Sequence, residues 1–138
     1  MTAQTTTGTP EQRALAGSVS WFEVGTPNLE AAKAFYGGMF GWSFTADESS
    51  GGAYQIVTTG DGHPIHGGLF DSTDRAPSYA VFCVLVADVA ETCARAETLG
   101  GSVITGPVTT EAGLVFAHLR DTDGNHFSVY SPRPGNAG

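Results

Sequence analysis

Basic residues are scarce in this chain, with six Lys and Arg against fourteen Asp and Glu among 138 residues and a net charge of −8. Binding to a phosphate backbone rests on a basic face that displaces counterions, so no nucleic-acid partner is expected. A neutral or cationic ligand suits the charge better than a polyanion. Long apolar runs are also missing. None approaches the roughly 20 residues that a membrane helix requires, so no membrane partner is expected. Cysteine is limited to Cys83, in a strand-like run, and Cys93, in a helix-like one. The pair reads as thiols buried as small hydrophobes, and no zinc site is suggested. No positively charged region followed by an apolar stretch opens the chain, so no secretory signal is read and a cytoplasmic location is expected. Several catalytic motifs are lacking too. There is no Gly-x-Ser-x-Gly elbow and no dinucleotide fingerprint before either helix, which sets aside acyl-enzyme and nicotinamide chemistry. Gly60-Asp61-Gly62 has no Gly-Lys-Ser after it and reads as a hairpin turn.

What the chain does contain is a repeat. Asn28-Leu29-Glu30-Ala31-Ala32-Lys33-Ala34, a helix cap and a helix-favouring run ending near Gly41, is answered by Asp88-Val89-Ala90-Glu91-Thr92-Cys93-Ala94, ending near Gly101. Both offsets are 60 (88 − 28 and 101 − 41), and the later Asp61-Gly62 and Asp123-Gly124 turns are 62 apart (123 − 61). Matched punctuation at a fixed period indicates a duplicated supersecondary unit.

Alternation and turn chemistry give each copy the order β-α-β-β-β. In the first, residues 18–25, 42–46, 54–59 and 65–70 read as strands, and a helix begins at Asn28. Its apolar side is read as Leu29, Ala32, Phe35, Tyr36 and Met39, with Gly37, Gly38 and Gly41 ending it. In the second, strands at 79–86, 102–108, 114–120 and 127–130 accompany a helix over 88–99. The fold class expected is α+β, two tandem βαβββ modules forming a cleft between curved mixed sheets. A single domain over 18–131 is expected, with module one at 18–70 and module two at 78–131. Residues 1–17 and 132–138 read as tails, too poor in apolar residues to offset the entropy of ordering.

A paired βαβββ unit with the run NLEAAKAFYGGMFGW around its first helix and LRDTDGNHFSVYSP around its last strand resembles the vicinal oxygen chelate superfamily, the glyoxalase, bleomycin-resistance and extradiol-dioxygenase group. The likeness covers 18–132. It implies four equivalent positions from which metal-dependent members draw ligands, on the first and last strand of each module. Carried onto this sequence, they fall on Trp21, His66, Val81 and Ser128. Only His66 is a good ligand, and transition metals need three or four N, O or S donors. No cofactor is therefore expected, with a divalent metal the minor alternative.

Residues two apart on a strand share a face, so the cleft is expected to be lined by Val19, Trp21 and Glu23; by Pro64, His66 and Gly68; by Tyr79, Val81 and Cys83; and by His126, Ser128 and Tyr130. Apolar walls with a few oriented polar groups suit a small organic ligand. The ligand-binding residues expected are Trp21, His66, Tyr79, Val81, Cys83, His126, Ser128 and Tyr130. Glu23 and His66 are the catalytic candidates, as an acid/base pair or, with His126, an atypical metal site; Glu23 could equally sit in a salt bridge or at a wet rim. His63 reads as a solvated turn residue, and His118 is left without a role. The leading functional expectation is a metal-independent protein, similar to the drug-sequestering resistance members of the family, enclosing an aromatic-rich metabolite or antibiotic. The alternative is a lyase, isomerase or cyclase working through His66 and Glu23, with or without a divalent metal. A homodimer is expected, because open sheet edges invite a second copy.

Overall fold

The two halves of the repeat begin with the same local chemistry. Asn28 holds extended backbone (φ −140°) and its side chain accepts from the Ala31 amide at 3.0 Å, starting helix α1 (Leu29–Phe40). Asp88 does the same for the Glu91 amide at 3.0 Å, starting α2 (Val89–Thr98). The offset of 60 is thus the spacing of two N-caps, each satisfying a backbone donor that a helix leaves open. Gly41 closes α1 in the left-handed region (φ 74°) and donates to the Gly37 carbonyl, a position that a Cβ would penalise. Gly37 and Gly38 lie inside the helix and do not end it.

The structure is a computed structural model, and it describes residues 16–60, 65–73 and 77–132, with the side chain of Ser49 left aside. His63, Pro64 and the Asp61-Gly62 turn lie outside the described residues. The strands are β1 (Val19–Thr26), β2 (Ser43–Ala46), β3 (Tyr54–Thr58), β4 (His66–Asp71), β5 (Tyr79–Leu85), β6 (Ser102–Thr109), β7 (Val115–Arg120) and β8 (His126–Ser131), with a short 3₁₀ turn at Glu48–Ser50. This is an α+β fold of two βαβββ runs. Contacts divide the chain into two compact units, one of residues 20–82 and one joining residues up to Val19 with those from Cys83 onward.

In the 20–82 unit, β1 and β4 pair in parallel, with Trp21 opposite His66 and Glu23 opposite Gly68. β4 pairs antiparallel with β3, and β3 with β2. The helix side of this sheet is aromatic. Phe22 lies 5.4 Å from Trp42, which stacks on Tyr36 of α1 at 5.3 Å and 14° and meets Phe40 at 5.2 Å. No α1 residue is fully buried. Phe35 and Met39, expected on the inward side, are 58% and 59% exposed. The apolar stripe is wider than one packing face, so spacing alone could not choose which residues turn outward.

The other unit repeats the arrangement with β5 parallel to β8, and β8, β7 and β6 antiparallel in turn. Here α2 does bury its inward face. Val89 and Cys93 pack on Ala117, Leu119 and Val129, all at 7% exposure or less. Burial pushes the Cys93 thiol pKa upward, with Glu97 adding to the shift. The Asp-Gly-Asn turn is built on Asp121, whose carboxylate accepts from the Asn125 side chain at 2.9 Å and from the amides of Asn125 and Asp123 at 2.9 and 2.8 Å. The Asn125 side chain is the largest of the causes holding its pKa below the usual carboxylate value.

Leu119 is wholly buried in this cluster. Leu119→Ala is expected to lower unfolding stability by about 2–5 kcal/mol through lost burial and a residual cavity, measured as a shift of the urea midpoint at unchanged slope. A loss under about 1 kcal/mol would contradict this packing.

Candidate functional site

On the face of the 20–82 sheet opposite α1, three strands bring four polar-tipped side chains together. Glu23 stands on β1 with Trp21, two residues away on the same face. Tyr54 reaches over from β3, and Tyr79 from the start of β5. The Trp21 indole N–H donates to the Tyr54 hydroxyl at 3.0 Å, and that hydroxyl donates to Glu23 Oε1 at 3.0 Å. The Tyr79 hydroxyl donates to Glu23 Oε2 at 2.5 Å. Both carboxylate oxygens thus accept a phenolic hydrogen bond, and bonds to a charged acceptor of this kind are roughly twice as strong as neutral ones. The partial burial of a carboxylate, costly if unmatched, is answered by two donors. Glu23, weighed from sequence for a salt bridge or a wet rim, is partly buried and bonded by this pair of tyrosines.

Two glycines make the arrangement possible. A Cβ on Gly68 would sit 1.8 Å from the Tyr54 hydroxyl oxygen, and one on Gly25 would sit 2.3 Å from the Tyr79 ring. Glycine inside a strand commonly marks such close approach. Gly67, on the opposite face, leaves room in the same way for Phe22. His66 is beside Trp21 in register. Its Nδ1 is buried and has no hydrogen-bond partner among the described residues.

The remaining site residues read from sequence lie apart from this network. Val81 is buried at 8% exposure and offers only an apolar wall. In the other unit, Cys83 is buried and opposite Ser128 in register. Ser128 is 4% exposed, and its hydroxyl donates to the Ala117 carbonyl at 3.0 Å, which commits its one proton to the β7–β8 pairing. Tyr130 shares this face, across from Phe116. His126 is joined by His118, which sequence left without a role, at 2.8 Å between His118 Nδ1 and His126 Nε2. Such a contact needs a proton on one nitrogen and a lone pair on the other. Burial first, then the charges of His118 and Arg120, lower the pKa of His126.

Tyr54 was placed on a strand by sequence but not brought to the site, because pairing partners across strands are not visible in alternation. The signal that could have found it is Gly67-Gly68, two glycines inside a strand, each with an aromatic ring on its own face.

Metal-dependent chemistry finds a poor donor set. Trp21 has only an N–H donor, Val81 has no donor atom, and the Ser128 hydroxyl is engaged. Among the described residues there is no group of three or more His, Cys, Asp or Glu able to hold a metal ion. The four family positions therefore do not fit a transition-metal centre, and no chemistry is routed through one.

Residues 18–129 match the family model of the Glyoxalase/Bleomycin resistance protein/Dioxygenase superfamily. The chain belongs to that superfamily. Among curated members, it is 28% identical over 128 residues to "Anthracycline biosynthesis protein DauV" of Streptomyces sp. (strain C5), covering 83% of this chain and 46% of that protein. It is 30% identical over 119 residues to "Putative glyoxylase CFP32" of Mycobacterium tuberculosis (strain CDC 1551 / Oshkosh), covering 86% of this chain and 45% of that one. The chain thus spans about half the length of these superfamily relatives. Among solved structures, methylmalonyl-CoA epimerase from Mycobacterium tuberculosis superposes with a TM-score of 0.58 at 15% identity, covering 99% of this chain and 96% of that one. At that identity the likeness is one of fold. No helix among the described residues is long and apolar enough to cross a membrane.

The lowered pKa of His126 has a pH signature. The unfolded chain takes up a proton near the ordinary histidine value while the folded chain still resists it, so stability is full above about pH 6.5 and falls as pH drops below it. A His126→Gln variant should show a flatter stability profile between about pH 7 and 5. Parallel profiles for parent and variant would contradict this partly buried placement.

Proposed function

We propose that this superfamily member is a metal-independent binding protein for a small, aromatic-rich organic molecule, held on the face that carries Trp21, Tyr54 and Tyr79. The observation that carries the reading is the use of Glu23. Its two oxygens are engaged by phenols, which suits a rigid, pre-ordered wall better than a free base, and pre-ordering lowers the entropy cost of binding. The wall offers indole and phenol faces for stacking and a fixed negative charge suited to a neutral or cationic guest. His66 Nδ1, buried beside Trp21 without a hydrogen-bond partner, is the polar atom assigned to a ligand hydroxyl or carbonyl. The name of one relative, an anthracycline biosynthesis protein, supports an aromatic guest. An antibiotic or a related aromatic metabolite is the occupant assigned, and a cytoplasmic location is part of the same reading.

A second reading rests on His66 alone. A partly buried imidazole with an unpaired ring nitrogen is equipped to move a proton, and the protein would then be a lyase, isomerase or cyclase with Glu23 and its tyrosines shaping the substrate.

Titration with an anthracycline, followed by tryptophan fluorescence in a Trp42→Phe background, leaves Trp21 as the only tryptophan and should show saturable quenching. Its absence across a panel of polycyclic aromatics would overturn the binding reading. Chelator treatment should leave the affinity unchanged, whereas about one transition metal per chain in elemental analysis would overturn metal independence.

His66→Gln should weaken binding by about 0.5–1.5 kcal/mol, the net value of one hydrogen bond. Under the enzyme reading, binding would hold and turnover would fall by roughly 10²-fold or more. No change in either quantity would remove His66 from the site.

A further inference from the structure

Closing a guest over a carboxylate removes more water from it, and that sets a demand on the guest. Glu23 is already partly buried, and its two phenolic hydrogen bonds from Tyr54 and Tyr79 spread its charge without cancelling it. A neutral guest laid on this face would leave that charge less solvated and uncompensated, which is costly. A cationic guest would offset it.

The rings around Glu23 favour one kind of cation. The Tyr54 ring fills the space where a Gly68 side chain would stand, and the Tyr79 ring fills that of Gly25, so each lies along the sheet with one face on glycine backbone and the other turned away from it. Trp21 joins them through its indole N–H on the Tyr54 hydroxyl at 3.0 Å. Phe70, opposite Tyr54 in register, adds a fourth ring at a centroid distance of 6.3 Å. Ring faces carry the negative end of the aromatic quadrupole and attract organic cations, quaternary ammonium groups above all. A metal ion would demand several oxygen, nitrogen or sulfur ligands, which ring faces do not supply. An alkylammonium group needs none.

We infer that the face of Trp21, Glu23, Tyr54 and Tyr79 is a subsite for an organic cation, a quaternary or tertiary ammonium group carried by the aromatic guest and seated against the rings over Glu23, which rests on the reading of this face as a binding site and narrows its occupant. Charge beyond the subsite acts in the same direction. Residues 20–82 hold seven Asp and Glu against two Lys and Arg, a net of −5 (2 − 7). Lys33, one of the two, is engaged on α1 by Glu30 at 3.4 Å. The field that draws a cation in thus belongs to the unit as well as to Glu23, and salt screens it.

Two phenols of the same shape test this, para-hydroxyphenyltrimethylammonium and para-tert-butylphenol, which differ in a charged nitrogen against a neutral carbon. In Trp42→Phe protein at neutral pH and low salt, with Trp21 fluorescence as the readout, the ammonium probe should bind tighter by roughly tenfold or more. Raising the salt should narrow the gap. Glu23→Gln keeps the shape of the side chain and removes its charge, and should weaken the ammonium probe roughly tenfold while moving the neutral probe by less than about threefold. Equal affinity for the two phenols, binding of neither where a polycyclic aromatic does bind, or a preference that survives Glu23→Gln overturns the organic cation and leaves the aromatic-binding reading standing. If Glu23→Gln does not fold, the comparison of the two phenols and its salt dependence with Glu23 in place decide alone. Failure of both phenols and of every polycyclic aromatic overturns the two readings together.

Discussion

A carboxylate taken partly out of water must be given donors, and on one face of the first unit that requirement organises its surroundings. Glu23 draws the Tyr54 hydroxyl from β3 and the Tyr79 hydroxyl from β5, and Tyr54 in turn orients the Trp21 indole. Four side chains from three strands are thereby fixed by one charge. The ring positions that would meet a guest follow from hydrogen bonding as well as from packing, which makes this face more specific in shape than an apolar wall of the same size. The cost is chemical freedom, since both carboxylate oxygens are already occupied by phenolic donors.

The second half of the repeat solves the equivalent positions differently. Offset by 60, Glu23 becomes Cys83 and Trp21 becomes Val81; offset by 62, His66 becomes Ser128 and Tyr54 becomes Phe116. The substitutions remove the charge and with it the need for donors, and the polar interest moves to His118 and His126. Duplication has kept the caps, turns and strand order while the two faces have diverged. Fold and function are separable in this sense.

Much of the architecture was legible from residues alone, because it depends on local rules. Asn28 and Asp88 announce helices, Gly41 announces a stop, and alternation places Trp21 with Glu23 and His126 with Ser128 on common faces. Strand ends agree to within about two residues. What was not legible depends on partners distant in sequence. The Tyr54–Glu23 bond spans 31 residues and the Tyr79–Glu23 bond 56, and no local pattern encodes either. The outward turn of Phe35 and Met39 was hidden for a related reason. Helical spacing defines an apolar stripe, but only packing decides which part of it the sheet covers.

The glycines beneath the tyrosine rings tie the site to its own history. Position 68 cannot gain a side chain while Tyr54 lies over it, and position 25 cannot while Tyr79 does. Neither tyrosine can be acquired over a residue that already carries a Cβ. Each glycine and its tyrosine therefore form a unit of inheritance. Across descendants of this sequence the members of a pair should be kept or lost together, with the glycine having to come first, and a lineage that abandons one ring becomes free to fill the space beneath it.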